Sequence, residues 1–518
     1  MRKLKYTAGA LLILPIVLSV ALAQSGSGDL KVGYIYIDEE GNRSLSHSSF
    51  NYFDGASVSV ENFHYRFKNG FRVTSDLRNI NLDNRNLSFG FEKSGRFGAD
   101  INTNRYRRIY DSGGDSQTSR DLTGANIWFY PSRYIKVYGL GSFNTVSGEV
   151  NNLFDPAVPE VSRAIDYDKS KYGVGIRIKY LGRMFQAEYN TISYTDNLDE
   201  SYDRTSKRVK LFGHFPVPDY EWLTLSGSLA KFETEYDATG LMLEATTAKG
   251  VVATRLLRDL TATYVSYFTR AGSDSDFVET DNLAHLIYVS YNHPEKFSFT
   301  AGYQYDINDD YEDVVKADSY YLSGRINPYN GLELNAVLGV RGEEVDEGAR
   351  LVGDENRTRF KVRSKYDKPD IGSFMIGIEN RFRKNDQLDS EADFVRYFAR
   401  GTFEDLEYFR VSCGYSYSKG DYENAGEDFV FESQQVNLNI NSREYKNLTG
   451  GFGMTYFRSK LDLDTENINL MFTGAYRFKG ATRAEITYRV FNFDDFLFLD
   501  QYYTENIVEI NLIKSFSF

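Results

Sequence analysis

Apolar and polar residues alternate one for one along most of the chain. Phe297, Phe299, Ala301, Tyr303 and Tyr305 alternate with Ser298, Thr300, Gly302, Gln304 and Asp306. Leu332, Leu334, Ala336, Leu338 and Val340 oppose Glu333, Asn335, Gly339 and Arg341. Ile468, Leu470, Phe472, Gly474, Tyr476 and Phe478 oppose Asn467, Asn469, Met471, Thr473 and Arg477. Ala484, Ile486, Tyr488 and Val490 oppose Arg483, Glu485, Thr487 and Arg489. A period of two is the signature of a strand, because successive side chains point to opposite faces. None of these segments has the 3.6-residue period of an amphipathic helix. Segments of about ten residues with one apolar and one polar face are what a barrel in lipid needs, apolar outward and polar inward.

The connections between these segments alternate in kind. Tight ones fall at Lys68-Asn69-Gly70, Ser94-Gly95, Pro131 to Arg133, Gly182-Arg183, Pro216 to Tyr220 and Arg258-Asp259. They continue at Asn292 to Glu295, Asn327 to Gly331, Lys368 to Ile371, Glu404 to Leu406, Ser442 to Tyr445 and Lys479-Gly480. Each later interval holds a strand, a longer polar loop and a returning strand, which gives about 26 strands in all. Every tight turn lies between an even strand and the next odd one. Both termini then fall on the periplasmic side, with longer loops outside. Trp128 and Trp222 lie beside tight turns, where an interfacial aromatic girdle would place them. The long loops are acidic: Asp196 to Asp203, Asp274 to Asp281, Asp309 to Asp313, Glu343 to Glu355, Asp386 to Asp393 and Asp421 to Asp428. They read as solvated surface, bridged to lipopolysaccharide by divalent cations. Their alternative, a specific Ca²⁺ site, lacks the ordered ligand spacing of a known calcium loop. The longest, Glu149 to Lys169, carries Pro156, Pro159, Phe154, Val158, Val161 and Ile165; it either folds into the lumen or packs on another protein.

Composition narrows the class. Of 518 residues only 41% are hydrophobic, yet 40 are Tyr and 38 Phe, with 2 Trp and 1 Cys. A mean hydropathy of −0.46 excludes a bundle of apolar spanning helices. The aromatic content argues against disorder, and the Tyr/Gly bias against a soluble enzyme of several domains. At the start, Arg2, Lys3 and Lys5 precede an apolar run from Tyr6 to Leu22, and Ala21-Leu22-Ala23 is a small-residue cleavage site. Residues 1–23 are therefore expected to be a cleaved secretory signal, and 24–518 a single outer-membrane β-barrel domain. No lipobox cysteine is present. Loss of the three basic residues moves the formal net charge from −13 to near −16, which opposes nucleic-acid binding. At the other end Val508, Ile510, Leu512, Phe516 and Phe518 alternate with Glu509, Asn511, Ser515 and Ser517. A final strand ending in Phe is similar to the terminal signal read by the outer-membrane barrel assembly machinery.

Catalytic chemistry is not legible. Cys413 sits among Phe409, Val411, Tyr415 and Tyr417 as a lipid-facing small hydrophobe, with no second cysteine to pair with. The histidines, His47, His64, His214, His285 and His293, lack metal or haem spacing. There is no G-x-S-x-G, Walker loop or H-E-x-x-H, and one cysteine cannot build the C-x-x-C-H of c-type haem attachment. No catalytic, cofactor-binding or metal-ligating residues are expected, so any haem belongs to a partner. Inward Arg341, Arg477 and Arg489 read as ordinary charged residues of a water-facing lumen. About 26 strands spaced about 4.8 Å apart and tilted about 40° close at a backbone diameter of roughly 50 Å. An open hole of that size would breach the permeability barrier. With the first strand expected near Leu30, the chain holds no N-terminal plug domain, and inner loops or another protein must fill the bore.

The stretch Phe71 to Asp111 adds a resemblance. Within it Leu77-Arg78-Asn79-Ile80-Asn81-Leu82-Asp83-Asn84-Arg85-Asn86-Leu87 precedes Gly95-Arg96-Phe97 and Tyr106-Arg107-Arg108. With the large strand number and the missing plug, this resembles the start of the MtrB/PioB family of outer-membrane barrels. The chain lacks the N-terminal C-x-x-C pair that some members carry. What the resemblance implies is a non-catalytic barrel that sheaths a periplasmic multihaem c-type cytochrome for electron transfer across the bacterial outer membrane. An extracellular cytochrome is a further implied partner. The alternative reading is a general or substrate-specific porin constricted by inward loops, and a third is a surface adhesion or assembly scaffold using the acidic loops.

Overall fold

The structure is a computed structural model, and it describes residues 23–42, 53–110, 117–151, 162–274, 279–293, 295–310, 313–345, 354–369, 371–404, 406–424, 426–498 and 501–517. They form 26 strands, numbered β1 to β26 in chain order, and one 3-10 turn at Glu200–Tyr202. Each strand pairs antiparallel with the next. β26 (Tyr502–Ser517) also pairs antiparallel with β1 (Ala23–Gly41), from Ser27 against Ser517 to Gly41 against Tyr503. The sheet is thus a closed ring with no edge strand, and an all-antiparallel ring closes only with an even strand number. Followed from partner to partner perpendicular to the strands, the register returns to β1 about 26 residues further along. Stagger of about one residue per strand fixes a tilt of about 35° and a backbone diameter of about 50 Å.

The alternation read from the sequence is what this ring needs. On the outer face of the seam Val32 lies opposite Leu512 and Tyr34 opposite Ile510, all four exposed. On the inner face Lys31 donates diagonally across the seam to Glu509 at 3.1 Å. A one-residue slip would turn every such pair inside out, so the apolar exterior pins the register. Outward apolar residues are exposed all round, including Ile127, Val174, Leu338, Ile376 and Ile486. A band of that kind is stable against lipid and not against water. Cys413 joins it, exposed on the outer face of β21 (Phe409–Asn424) opposite Gly401.

Twelve tight turns join even strands to the next odd ones, where the sequence places them. The turn between β8 (Ser162–Tyr180) and β9 (Arg183–Asp196) shows the requirement: Leu181 and Gly182 both have positive φ, 46° and 77°. Two such residues give the turn the twist of its flanking strands.

Three details differ from the sequence reading. The polar leader Gln24 to Gly28 belongs to β1, which starts at Ala23 and not near Leu30. Residues 1–22, and with them most of the expected signal, lie outside the described residues, as do His47 and Pro156 to Val161. The acidic loops are also shorter than their composition suggests. Of Glu149 to Lys169 only residues 152–161 lie between strands, because β7 (Ile135–Asn151) and β8 continue to each side. Strands of 14 to 19 residues outrun the roughly ten that cross a bilayer, and their projecting ends are as polar as a loop. Finally, Trp128 of β6 (Gln117–Ser132) does not join an outer girdle. It faces the lumen opposite Gly98 of β5 (Phe97–Ile109), where a Cβ would collide with the indole. Lys136 covers the ring at 4.9 Å from its centroid. The missing side chain of Gly98 makes the room inside. Trp222, beside its turn, packs edge-on against Tyr220 at 5.5 Å.

The stretch with the family resemblance forms the shortest strands, β3 (Phe71–Arg78) and β4 (Asn86–Lys93), 8 residues each. Their connection finishes the wall that they leave open. Ile80 N–H donates to the Val58 carbonyl of β2 (Gly55–Phe67), and Asn81 accepts from Val58 N–H and donates to Ala56 O. On the other flank Arg105 N–H donates to Arg85 O, and its guanidinium reaches Asp83 at 2.7 Å.

Candidate functional site

The inward face is not uniform round the ring. Its most charged part is the wall of β16 (Asp313–Tyr329), β17 (Leu332–Val345), β18 (Glu355–Lys368), β19 (Gly372–Asn385) and β20 (Ser390–Phe403). On β18 the inward positions after Glu355 run Arg357, Arg359, Lys361, Arg363, Lys365. At about 6.8 Å per two-residue step, that ladder of cations is about 27 Å long. Register then sets arginines side by side. Arg341 lies opposite Arg357, and Arg357 opposite Arg383, in one row across the strands. One step nearer the tight turns Arg359 lies opposite Arg381. Like charges directly opposite in a sheet destabilise it by a fraction of a kcal/mol each.

Carboxylates threaded between the arginines hold the array. Glu355, 1% exposed, is gripped by Arg357 and by Arg383 at 2.6 Å. Glu379, 4% exposed, takes Arg381 at 2.8 Å, Arg359 at 2.9 Å and Lys361 at 3.2 Å. Arg341 donates to Glu343 at 2.7 Å, Asp306 at 2.5 Å and Ser319 Oγ at 3.1 Å. Aromatic rings brace the side chains: Arg381 lies 5.8 Å from the Phe394 ring centroid, and Lys361 5.6 Å from that of Phe398. Charge-assisted pairs of this kind lock guanidinium orientation more than they add stability, since most of these arginines remain half exposed.

The loop-side half of this wall encloses a concavity of about 1010 Å³. Its floor is one cross-strand row, Tyr288, Gly302, Tyr321, Gly339, Arg359, Arg381 and Phe394, contributed by β14 (Glu279–His293), β15 (Phe297–Asp310) and β16 to β20. A Cβ on Gly339 would meet nothing within 4 Å, so the hollow opens where that side chain is missing. At one end Tyr422 stacks on Phe431, planes 11° apart.

Of the arginines singled out in the sequence, Arg341 alone joins this cluster. Arg477 faces inward on β24 (Thr465–Phe478), paired with Glu444 at 3.2 Å, and Arg489 faces inward opposite Met471. Both lie outside the cluster, Arg477 at the end of β24 and Arg489 on the next strand, β25 (Thr482–Asp495). Arg357, Arg359, Arg381 and Arg383 were not singled out. Their signal is the alternation Arg357-Thr-Arg-Phe-Lys-Val-Arg-Ser-Lys365, cations at every second place in a strand. Among the described residues no group of three or more His, Cys, Asp and Glu could hold a metal ion. His64 and His214 face the lumen and His285 faces out, stacked on Tyr264. The arrangement is suited to binding anions.

No protein-family model matches the chain, and no curated protein matches its sequence. Solved structures do match its fold. The FrpB iron transporter from Neisseria meningitidis is similar with a TM-score of 0.55 and 8% identity, over 96% of this chain and 82% of that one. The siderophore receptor PirA from Pseudomonas aeruginosa is similar with a TM-score of 0.52 and 10% identity, over 82% of this chain and 80% of that one. The ferric enterobactin receptor PfeA from Pseudomonas aeruginosa, as a mutant in complex with enterobactin, has a TM-score of 0.53 and 11% identity, over 95% and 82%. The likeness is one of fold: a large outer-membrane β-barrel.

Proposed function

We propose that this chain is a non-catalytic barrel of the bacterial outer membrane whose lumen sheaths a separate protein, a periplasmic multihaem c-type cytochrome, for electron transfer across the membrane. Signal cleavage after Ala23 would deliver it there, and an extracellular cytochrome would meet it at the loop face. All haem in this reading belongs to the partners. The observation that carries it is the bore. The longest connection between strands, residues 42–54, is about 13 residues and reaches at most about 22 Å out and back, against a diameter of about 50 Å. Connections of that length narrow a mouth without filling such a bore, and an empty one would defeat the membrane. The stretch Phe71 to Asp111 supports the cytochrome as the occupant by its resemblance to MtrB/PioB barrels. Solubilisation in mild detergent tests the reading: a haem-staining protein is expected to co-migrate with the barrel through two successive columns. A barrel isolated without haem protein that conducts ions overturns it.

A porin or uptake channel is the second reading, favoured by the arginine wall and in keeping with the receptors and transporter that share the fold. It predicts that deleting residues 152–161 between β7 and β8 changes the conductance of the purified barrel; an unchanged conductance counts against that connection as a constriction.

A further inference from the structure

We propose that the lumenal concavity over Gly302 and Gly339 is a binding site for a small, flat polyanion: an organic acid with several carboxylate or phosphate groups around a planar body. The inference goes beyond the sheath reading and does not depend on it.

The first argument is charge. Arg341, Arg357, Arg359, Lys361, Arg381 and Arg383 are met by Asp306, Glu343, Glu355 and Glu379, which leaves two more cations than carboxylates. Glu355 and Glu379 are themselves buried beneath the cations they bind, so the wall presents guanidinium to the lumen and hides its acid. Each guanidinium carries five donors in a fixed fork, and the pairings to Glu355 and Glu379 use only part of each. The second argument is register. Arg341, Arg357 and Arg383 stand in one cross-strand row at a cost to the sheet, although the same frame carries neutral rows without difficulty on the next strands. The third is shape. The hollow is of the size that encloses a small ligand. Besides its arginines it is edged by Tyr288, Tyr321, Phe394 and Tyr422, and guanidinium and aromatic faces both stack on planar groups. Anionic oxygens would take the forked donors of Arg357 and Arg383, with the flat body against Tyr321 over Gly339.

Titration calorimetry on the purified, refolded barrel at low salt tests this, with benzene-1,3,5-tricarboxylate, citrate and neutral benzene-1,3,5-tricarboxamide as probes. One tricarboxylate per barrel is expected to bind, citrate of the same charge several-fold more weakly, and the amide not at all. Arg357→Gln with Arg383→Gln should weaken the tricarboxylate by about ten-fold or more. Gly339→Leu should do the same by filling the floor, while the heat-modifiable gel shift of the folded barrel is retained. Lys171→Gln, an inward cation on β8 outside this wall, should leave affinity unchanged. Equal binding by wild type and Gly339→Leu, equal binding of citrate and tricarboxylate, or an equal loss from Lys171→Gln would each overturn the site.

Discussion

Strands β16 to β20 turn Arg, Lys and Glu toward the lumen. The neighbouring wall, β21, β22 (Glu427–Ser442), β23 (Leu448–Leu461) and β24, turns Ser416, Ser418, Ser433, Gln435, Asn437, Thr455, Asn467 and Asn469 inward over its middle, with inward ionised residues only at the strand ends, Arg410, Glu427 and Arg477. Both walls are built of antiparallel strands of 14 to 17 residues with an apolar outer face. The neutral wall satisfies itself by short bonds of neutral groups: Thr455 donates to Asn437 at 3.1 Å, and Ser459, buried, meets Thr465 Oγ1 at 2.9 Å. The comparison shows that a water-facing lumen needs polar residues and does not need charge. The charge on β16 to β20 is therefore an addition to the fold, held against its own repulsion by Glu355 and Glu379.

The difference should be confined to the inside, and the largest effect tests that. Ile376→Lys on the outer face of β19 and Leu438→Lys on that of β22 should each cost about 2–4 kcal/mol of barrel stability in lipid, and the same within error on both walls. Unfolding in denaturant from vesicles measures it; a clear difference between the two would mean that the walls differ in their outer faces as well. Inside, removing a polar link should cost more on the charged wall. Glu379→Gln strands three cations and should lose about 1.5–3 kcal/mol, whereas Ser459→Ala should lose about 1 kcal/mol. Equal losses would show that Glu379 is a spectator of its arginines. The smallest effect is electrical. In about 10 mM salt the Debye length of about 30 Å exceeds the lumen radius, and at 1 M it is about 3 Å. Reversal potentials of the isolated barrel should therefore show anion preference at the low salt and almost none at the high. Arg359→Gln with Arg381→Gln should reduce that preference, and Asn437→Gln on the neutral wall should not.

The fold was legible because its determinants are local. Alternation within Phe297 to Tyr305 and turn residues such as Gly182-Arg183 each sit within a few positions, and together they give the strand number. The arginine site was not, because Arg341, Arg357 and Arg383 meet only through the register of three strands. Nor was the inward turn of Trp128, which depends on Gly98 in the preceding strand. Acidic composition marks contact with water, and strand ends that rise above a membrane share it with loops; hence the overlong loops expected around Asp309 and Asp421.

The seam has a consequence for how the molecule comes into being. Lys31 and Glu509, which bond across it, are 478 residues apart in the chain. Bringing ends so distant together costs roughly 5 kcal/mol of chain entropy before any seam bond forms. Until β26 arrives, β1 carries a row of N–H and C=O groups without partners, and in hydrocarbon each such group costs several kcal/mol. A membrane-inserted but unclosed ring is thus a state without a home of its own. Either insertion waits for closure, or the bare flank of β1 is lent a temporary neighbour by the edge of another sheet. Because the ring is completed by the strand that comes last in its chain order, a chain cut short before β26 loses the closed barrel and not merely one strand.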